Sequence, residues 1–202
     1  FRRVLFRSLT RSAWLSAAAG GDVHLKRECE QTTGSFKLRG ATNVIATLTP
    51  EERARGVVTA SAGNHGLGLA TAAKAAGVRA QVFVPASAPM IKREKILATG
   101  ASVHASAPTY DTAESIARLH AFDTGATFVS PCTGRALLAG QGTVALEIIE
   151  QLPAVASVVV CVGGGGLAGG IGGLLRAERP EVRIIGAQAE RTNAMALAIA
   201  SG

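Results

Sequence analysis

From residue 57 to the end, short apolar runs alternate with longer amphipathic stretches. The runs predict strands over 57–60, 80–85, 101–105, 127–129, 157–162 and 183–188. The stretches between them repeat apolar positions every three or four residues. They predict helices over 64–76, 90–98, 112–122, 140–152, 167–178 and from 192 onward. Gly100 and Gly125 supply the stops of two of these helices. Alternation of this kind builds parallel sheets with right-handed crossovers and helices on both faces, an α/β fold. No repeat, low-complexity tract or linker interrupts it, so a second domain would have to be interleaved with the first. Ligands of such sheets gather at the carboxyl ends of strands. Two loops stand there: Ser61-Ala62-Gly63-Asn64 and Gly163-Gly164-Gly165-Gly166.

Composition narrows the class. With 202 residues, 48% of them hydrophobic and 17% charged, the chain can bury a substantial core and is not a disordered protein. No apolar run is long enough to cross a bilayer, which predicts no membrane partner. The formal charge of +7 invites a nucleic-acid reading. The basic residues are scattered, however, or crowded near the start (Arg2, Arg3, Arg7, Arg11). Aromatics make up only 4%, so no basic-aromatic patch exists and nucleic-acid binding is not expected. A positive field suits anionic substrates and a phosphorylated cofactor. Three separated cysteines (Cys29, Cys132, Cys161) fit a reducing, cytoplasmic location and argue against a zinc site. Cys161, inside an apolar run, is expected to be a small core residue. Residues 1–8 lack an initiator Met and read as a foreign or disordered leader. The end at Ala200-Ser201-Gly202 falls inside a helical pattern and reads as the edge of a fragment.

Three constellations carry chemistry. In Thr33-Gly34-Ser35-Phe36-Lys37-Leu38-Arg39-Gly40-Ala41, a lysine follows a Gly-Ser turn and an aromatic ring. Such neighbours suit a flat apolar surface rather than a helix face. Burial there would lower the amine's pKa, as bonding to an aldehyde requires. Lysines are nonetheless mostly solvated surface charges. In Thr59-Ala60-Ser61-Ala62-Gly63-Asn64-His65-Gly66, a strand ends and a helix begins. Its first N–H groups and the Ser61 hydroxyl can hold a carboxylate, while Asn64 could equally be a helix cap. His65, in a first helical turn, is more often structural than a general base. The third is the run Gly163-Gly164-Gly165-Gly166-Leu167 after an apolar strand. Only glycine brings backbone N–H groups this close around a phosphate. The same run holds Gly164-x-Gly166-x-x-Gly169, the dinucleotide fingerprint, for which Glu190 would be the acidic ribose partner. An amine for an aldehyde and a cradle for a phosphate together describe pyridoxal 5'-phosphate.

These segments, joined by Ala139-Gly140-Gln141-Gly142-Thr143, resemble the threonine/serine dehydratases. Those are members of the tryptophan-synthase-β-like, fold type II group of pyridoxal phosphate enzymes. The resemblance runs from about Arg11 to the end, with four motifs in the family's order and spacing. It implies that Lys37 holds the cofactor and is the catalytic residue, with Phe36 packed on the cofactor ring. It implies that Asn64 bonds the ring's 3-oxygen and that Gly163, Gly164, Gly165, Gly166 and Leu167 bind its phosphate. Ser61, Ala62, Gly63, Asn64 and His65 would receive the substrate carboxylate.

A large domain of residues 9–57 and 136–202 would enclose a small one of 58–135, and the whole would be a homodimer or homotetramer. The implied reaction is α,β-elimination, converting a β-hydroxy amino acid such as L-threonine or L-serine to a 2-oxo acid and ammonia. Racemases of the group carry a serine where this chain has Ala62, which favours elimination. β-Replacement relatives usually carry Thr where it has His65. The family's C-terminal third, with the hydroxyl residue that bonds the pyridine nitrogen, is absent from this chain. No metal-ligating cluster follows Gln188. A nicotinamide-binding oxidoreductase remains as the distant alternative and leaves the Lys37 motif unexplained.

Overall fold

The computed structural model of the chain describes residues 5–201. The described chain opens with an antiparallel hairpin, β1 (Leu9–Arg11) and β2 (His24–Lys26), around α1 (Ala13–Ala19). Two further helices follow, α2 (Lys37–Thr47) and α3 (Pro50–Arg55). Thr49 and Glu52 form a reciprocal capping box on α3, with Pro50 at its start. From there strands and helices alternate: β3 (Val57–Ala60), α4 (Asn64–Ala75), β4 (Ala80–Pro85), α5 (Met90–Leu97), β5 (Ser102–Ala107), α6 (Tyr110–Thr124), β6 (Thr127–Phe128), α7 (Arg135–Gln151), β7 (Ser157–Cys161), α8 (Gly166–Glu178), β8 (Arg183–Ala187) and α9 (Ala194–Ser201). Every strand and helix expected after residue 56 is present. The largest boundary shift is at α7, which begins at Arg135, after Gly134 turns the chain with φ +110°.

The strands β5-β4-β3-β6 form one all-parallel sheet in that order, and β7-β8 form a second parallel pair. Successive strand residues point to opposite faces, and both faces of the first sheet are covered. Val57, Val82 and Val84 pack in one cluster with Leu38, Ala41, Val44 and Ile45 of α2, Leu69 and Ala73 of α4, and Ile96 of α5. Val58, Ala60 and Phe83 on the other face meet Ala113, Ala117 and Ala121, one small residue per turn of α6. The β7–β8 pair is covered on one face, where Val158 and Val160 pack with Val144, Ile148, Ile171 and Leu175 of α7 and α8. Cys161 and Val159 occupy the opposite face and are exposed. This corrects the expectation that Cys161 is a core residue, because among the described residues nothing covers that face.

The expected leader lies only partly within the described residues. Residues 1–4 lie outside the described residues, but Leu5 is buried in the main cluster. The Arg7 N–H donates to the buried Glu147 carboxylate at 3.1 Å, and the Arg7 carbonyl accepts from Lys26 Nζ. Among the described residues no helix is long and apolar enough to cross a membrane.

Candidate cofactor site

The strand order fixes where a ligand can sit. From β3 the chain adds β4 and β5 on one side, then returns to place β6 on the other. Loops leaving β3 and β6 therefore diverge at a topological switch point. They are residues 61–63 and 129–134, and parts of all three motifs converge on the second. The Val129 carbonyl accepts from Thr59 Oγ1 at 2.7 Å and lies 3.2 Å from His65 Nε2. The Pro131 carbonyl accepts from Lys37 Nζ at 2.5 Å. Cys132 packs on the glycine loop. A Cβ on Gly164 would come within 2.4 Å of its Sγ, and one on Gly166 within 3.3 Å of its backbone.

Lys37 is the first residue of α2, behind Phe36 at the cap position, so it does lie on a helix after all. Its amine is half-buried and stands 5.3 Å from the Phe36 ring centroid. Burial pulls its pKa below the ordinary lysine value, and the Cys132 sulfur pulls the other way. A cation at a helix N-terminus is also disfavoured by the backbone dipoles. The position of α2 is set by glycines. A Cβ on Gly68 of α4 would meet the Lys37–Leu38 backbone at 3.2 Å, and one on Gly140 of α7 would meet Gly40 Cα at 2.6 Å. On α8, a Cβ on Gly170 would meet the Leu138 carbonyl of α7 at 2.6 Å. The helices bearing Lys37, His65 and the phosphate cradle thus touch backbone to backbone through α2 and α7.

A buried ion network anchors α2 beyond Lys37. Arg39, fully buried, bonds Glu28 through Nε and Nη2 at 2.7 Å each, and Glu147 at 2.6 and 2.9 Å. It also donates to Thr143 Oγ1 at 3.1 Å, and Lys26 reaches Glu147 at 2.6 Å. Burial alone would raise the Glu147 carboxyl. Hydrogen bonds from Arg39, Lys26 and the Arg7 amide outweigh it and hold the group below the usual carboxylate range. Nothing along the chain marks this network, since a lone arginine reads as surface charge.

The glycine loop ends in Gly165, at φ +83°, the cap residue of α8. No side chain caps this helix, and none caps α4 behind Gly63. Side-chain caps are found on α1, α3 and α6, at Ser12, Thr49 and Thr109. Uncapped N–H groups at the start of a 13-residue helix suit an anion. At the other loop, Gly63 N–H donates to Ser61 Oγ at 3.2 Å, leaving that hydroxyl its own proton to give. Asn64 is exposed and is the first helical residue rather than the cap, which removes the capping explanation. Ala62 and Leu167 are half-buried beside their loops. His65 is buried. Desolvation lowers its pKa to about 4, the Lys37 charge adds to this, and the bond to the Val129 carbonyl opposes it. Its Nδ1 is buried without a partner. A surface hollow of about 410 Å³ against α1 holds none of these residues. The chemistry, not the size of a hollow, marks the site. Among the described residues there is no group of three or more His, Cys, Asp or Glu that could hold a metal ion.

An α/β fold that sets a deprotonatable lysine and a bare glycine cradle about one switch-point loop defines a site for a phosphorylated aldehyde. The pyridoxal-phosphate dependent enzyme profile matches residues 7–202, and the chain belongs to that family. It is 46% identical over 195 residues to the L-threonine ammonia-lyase of Thermotoga maritima, covering 96% of this chain and 49% of that protein. The processed form of threonine deaminase isoform 2 from Solanum lycopersicum superposes with TM-score 0.93 at 35% identity, over 97% of this chain and 54% of that one. Maize serine racemase does so with TM-score 0.93 at 34% identity, over 97% and 60%. The chain thus spans about half the length of the relatives it matches. Family membership makes pyridoxal phosphate the cofactor and sets the nicotinamide reading aside.

Proposed function

We propose that this chain carries the catalytic lysine and phosphate cradle of a dehydratase acting on β-hydroxy amino acids such as L-threonine or L-serine. The observation that supports it most is the meeting of the Lys37 amine and the Gly163–Gly166 loop on residues 131–132. Pyridoxal phosphate, when bound, supplies an aldehyde that joins an amine and a ring that takes up carbanion charge. The uncapped start of α8 with Gly163, Gly164, Gly165, Gly166 and Leu167 holds its phosphate, and Phe36 and Asn64 flank its ring. The first N–H groups of α4, with Ser61, Ala62, Gly63 and His65, receive the substrate carboxylate and orient Cα. Lys37, kept easily deprotonated by burial, takes the Cα proton. The β-hydroxyl leaves as water, and hydrolysis then gives a 2-oxo acid and ammonia. Ala62 offers no hydroxyl to return a proton to Cα, so elimination is favoured over the racemisation suggested by the maize structure. The three free thiols suit a cytoplasmic location, and the working form is a homo-oligomer.

The test is product analysis of the protein with pyridoxal phosphate and L-threonine or L-serine. We expect 2-oxo acid and ammonia in equal amounts, and no turnover by Lys37→Ala. Racemised amino acid without 2-oxo acid, or full turnover by Lys37→Ala, would overturn the reading.

A further inference from the structure

Thr59 and His65 flank the loop that follows β3, and both side chains reach across to the loop that follows β6. Both residues are buried, Thr59 completely. A hydroxyl and an imidazole are costly to bury unless they are bonded. Here they meet one partner, the Val129 carbonyl, which lies 2.7 Å from Thr59 Oγ1 and 3.2 Å from His65 Nε2. A carbonyl can only accept, so His65 carries its proton on Nε2, and the two donors occupy both lone pairs of one oxygen. The Val129 amide is held as well, donating to the Val58 carbonyl at 2.8 Å.

Two residues on, the Pro131 carbonyl accepts from Lys37 Nζ and is the one acceptor for that amine among the described residues. Beyond it, Ser130 Oγ accepts from the Cys132 and Thr133 amides at 3.3 and 3.2 Å and from Thr133 Oγ1 at 2.9 Å. The proline ring restricts its own φ. The carbonyl that receives the amine is thus fixed from both sides. The same turn lies against the glycine run, where a Cβ on Gly166 would come within 3.3 Å of the Cys132 backbone.

We propose that Thr59 and His65 are positioning residues for Lys37. By holding Val129 they set where Pro131 presents its carbonyl, and so where the amine stands against the glycine run. The His65 side chain is thereby assigned to the lysine, and only its backbone N–H is left for a substrate carboxylate. Apolar side chains could fill the same space, but they would leave the Val129 carbonyl without these donors.

The role rests on the reading of Lys37 as the cofactor's anchor, and one experiment separates the two. Pyridoxal phosphate with borohydride is the probe. Amine and aldehyde join with loss of water, and hydride from borohydride reduces the C=N bond to a stable secondary amine. Peptide mass mapping then gives a labelling rate for each lysine, with exposed Lys74 and Lys92 as internal references. We expect Lys37 to be labelled about fivefold more slowly in His65→Leu and in Thr59→Val, the scale of one hydrogen bond, with the references unchanged. His65→Gln and Thr59→Ser keep a donor and should return to the parental rate. Val182→Ala, in the apolar cluster beside β7 and β8, should lower the urea midpoint without slowing Lys37, which separates placement from stability. Equal Lys37 rates in parent, His65→Leu and Thr59→Val would overturn the proposal and leave the dehydratase reading standing. So would a slowing in Val182→Ala as large as theirs. A conservative variant no faster than its apolar counterpart would strike that residue from the role. No label on Lys37 in the parent would overturn the anchor, and this role with it.

Discussion

A lysine that must give and take protons near neutrality needs to be held away from water without being neutralised by a carboxylate, and Lys37 meets both conditions. Its bonded acceptor is a backbone carbonyl, and the nearby carboxylates Glu28 and Glu147 are engaged by Arg39 and Lys26 instead. His65 shows the same economy of charge. Its pKa is lowered to about 4 by burial, whereas the unfolded chain protonates it near its ordinary value of 6.5. Between these values the unfolded state binds the proton and the folded state does not, so stability is full above pH 6.5 and falls as pH drops towards 4. The loss amounts to about 3 kcal/mol over that window. Urea midpoints of the parent and His65→Gln, measured from pH 7 to pH 4, should converge as pH falls, because only the parent carries this proton. Parallel curves would show that His65 is not buried neutral.

At the scale of elements, α2 explains both why the site is precise and why part of it was hidden in the sequence. Strands and helices after residue 56 were legible because short apolar runs there alternate with stretches whose apolar positions recur every three or four residues. α2 instead lies between α4 and α7, with buried Leu38, Ala41, Val44 and Ile45 accompanied by buried Arg39 and Gly40. Its pattern is not one-sided, and its arginine is buried only because Glu28 and Glu147 lie elsewhere in the chain. The motif residues were readable as chemistry, but the 129–134 loop that joins them was not, since a carbonyl that accepts from a distant lysine leaves no mark on sequence. Cys161 was misread for a related reason: an apolar run does not tell whether one face of a strand is covered or two. The contact between α2 and α7 is testable. In Gly140→Ala the new Cβ would meet backbone at Gly40 Cα, 2.6 Å, and Arg39 O, 2.7 Å, neither of which can rotate away. We expect a loss of about 1–3 kcal/mol, the usual cost of overpacking, seen as a lower urea midpoint. An unchanged midpoint would mean that the helices are free to separate.

Across the whole molecule, the proposed division into 9–57 with 136–202 around 58–135 runs through a continuous apolar layer. Leu38, Ile45 and Leu137 share one cluster with Val57, Val82 and Ile96. The first sheet is thereby tied to the helix that carries Lys37, and the switch-point loop to the glycine run of α8. The uncovered face of β7, with Val159 and Cys161, lies on the second sheet, away from that tie. The central claim is that these parts together seat pyridoxal phosphate on one lysine out of the few in the chain. The most direct measurement is borohydride reduction of the protein with added pyridoxal phosphate, followed by peptide mass mapping. A pyridoxyl group on Lys37 alone, absent from Lys37→Ala, is the result this account predicts. Label spread over Lys26, Lys74, Lys92 and Lys95 as readily as Lys37 would contradict it.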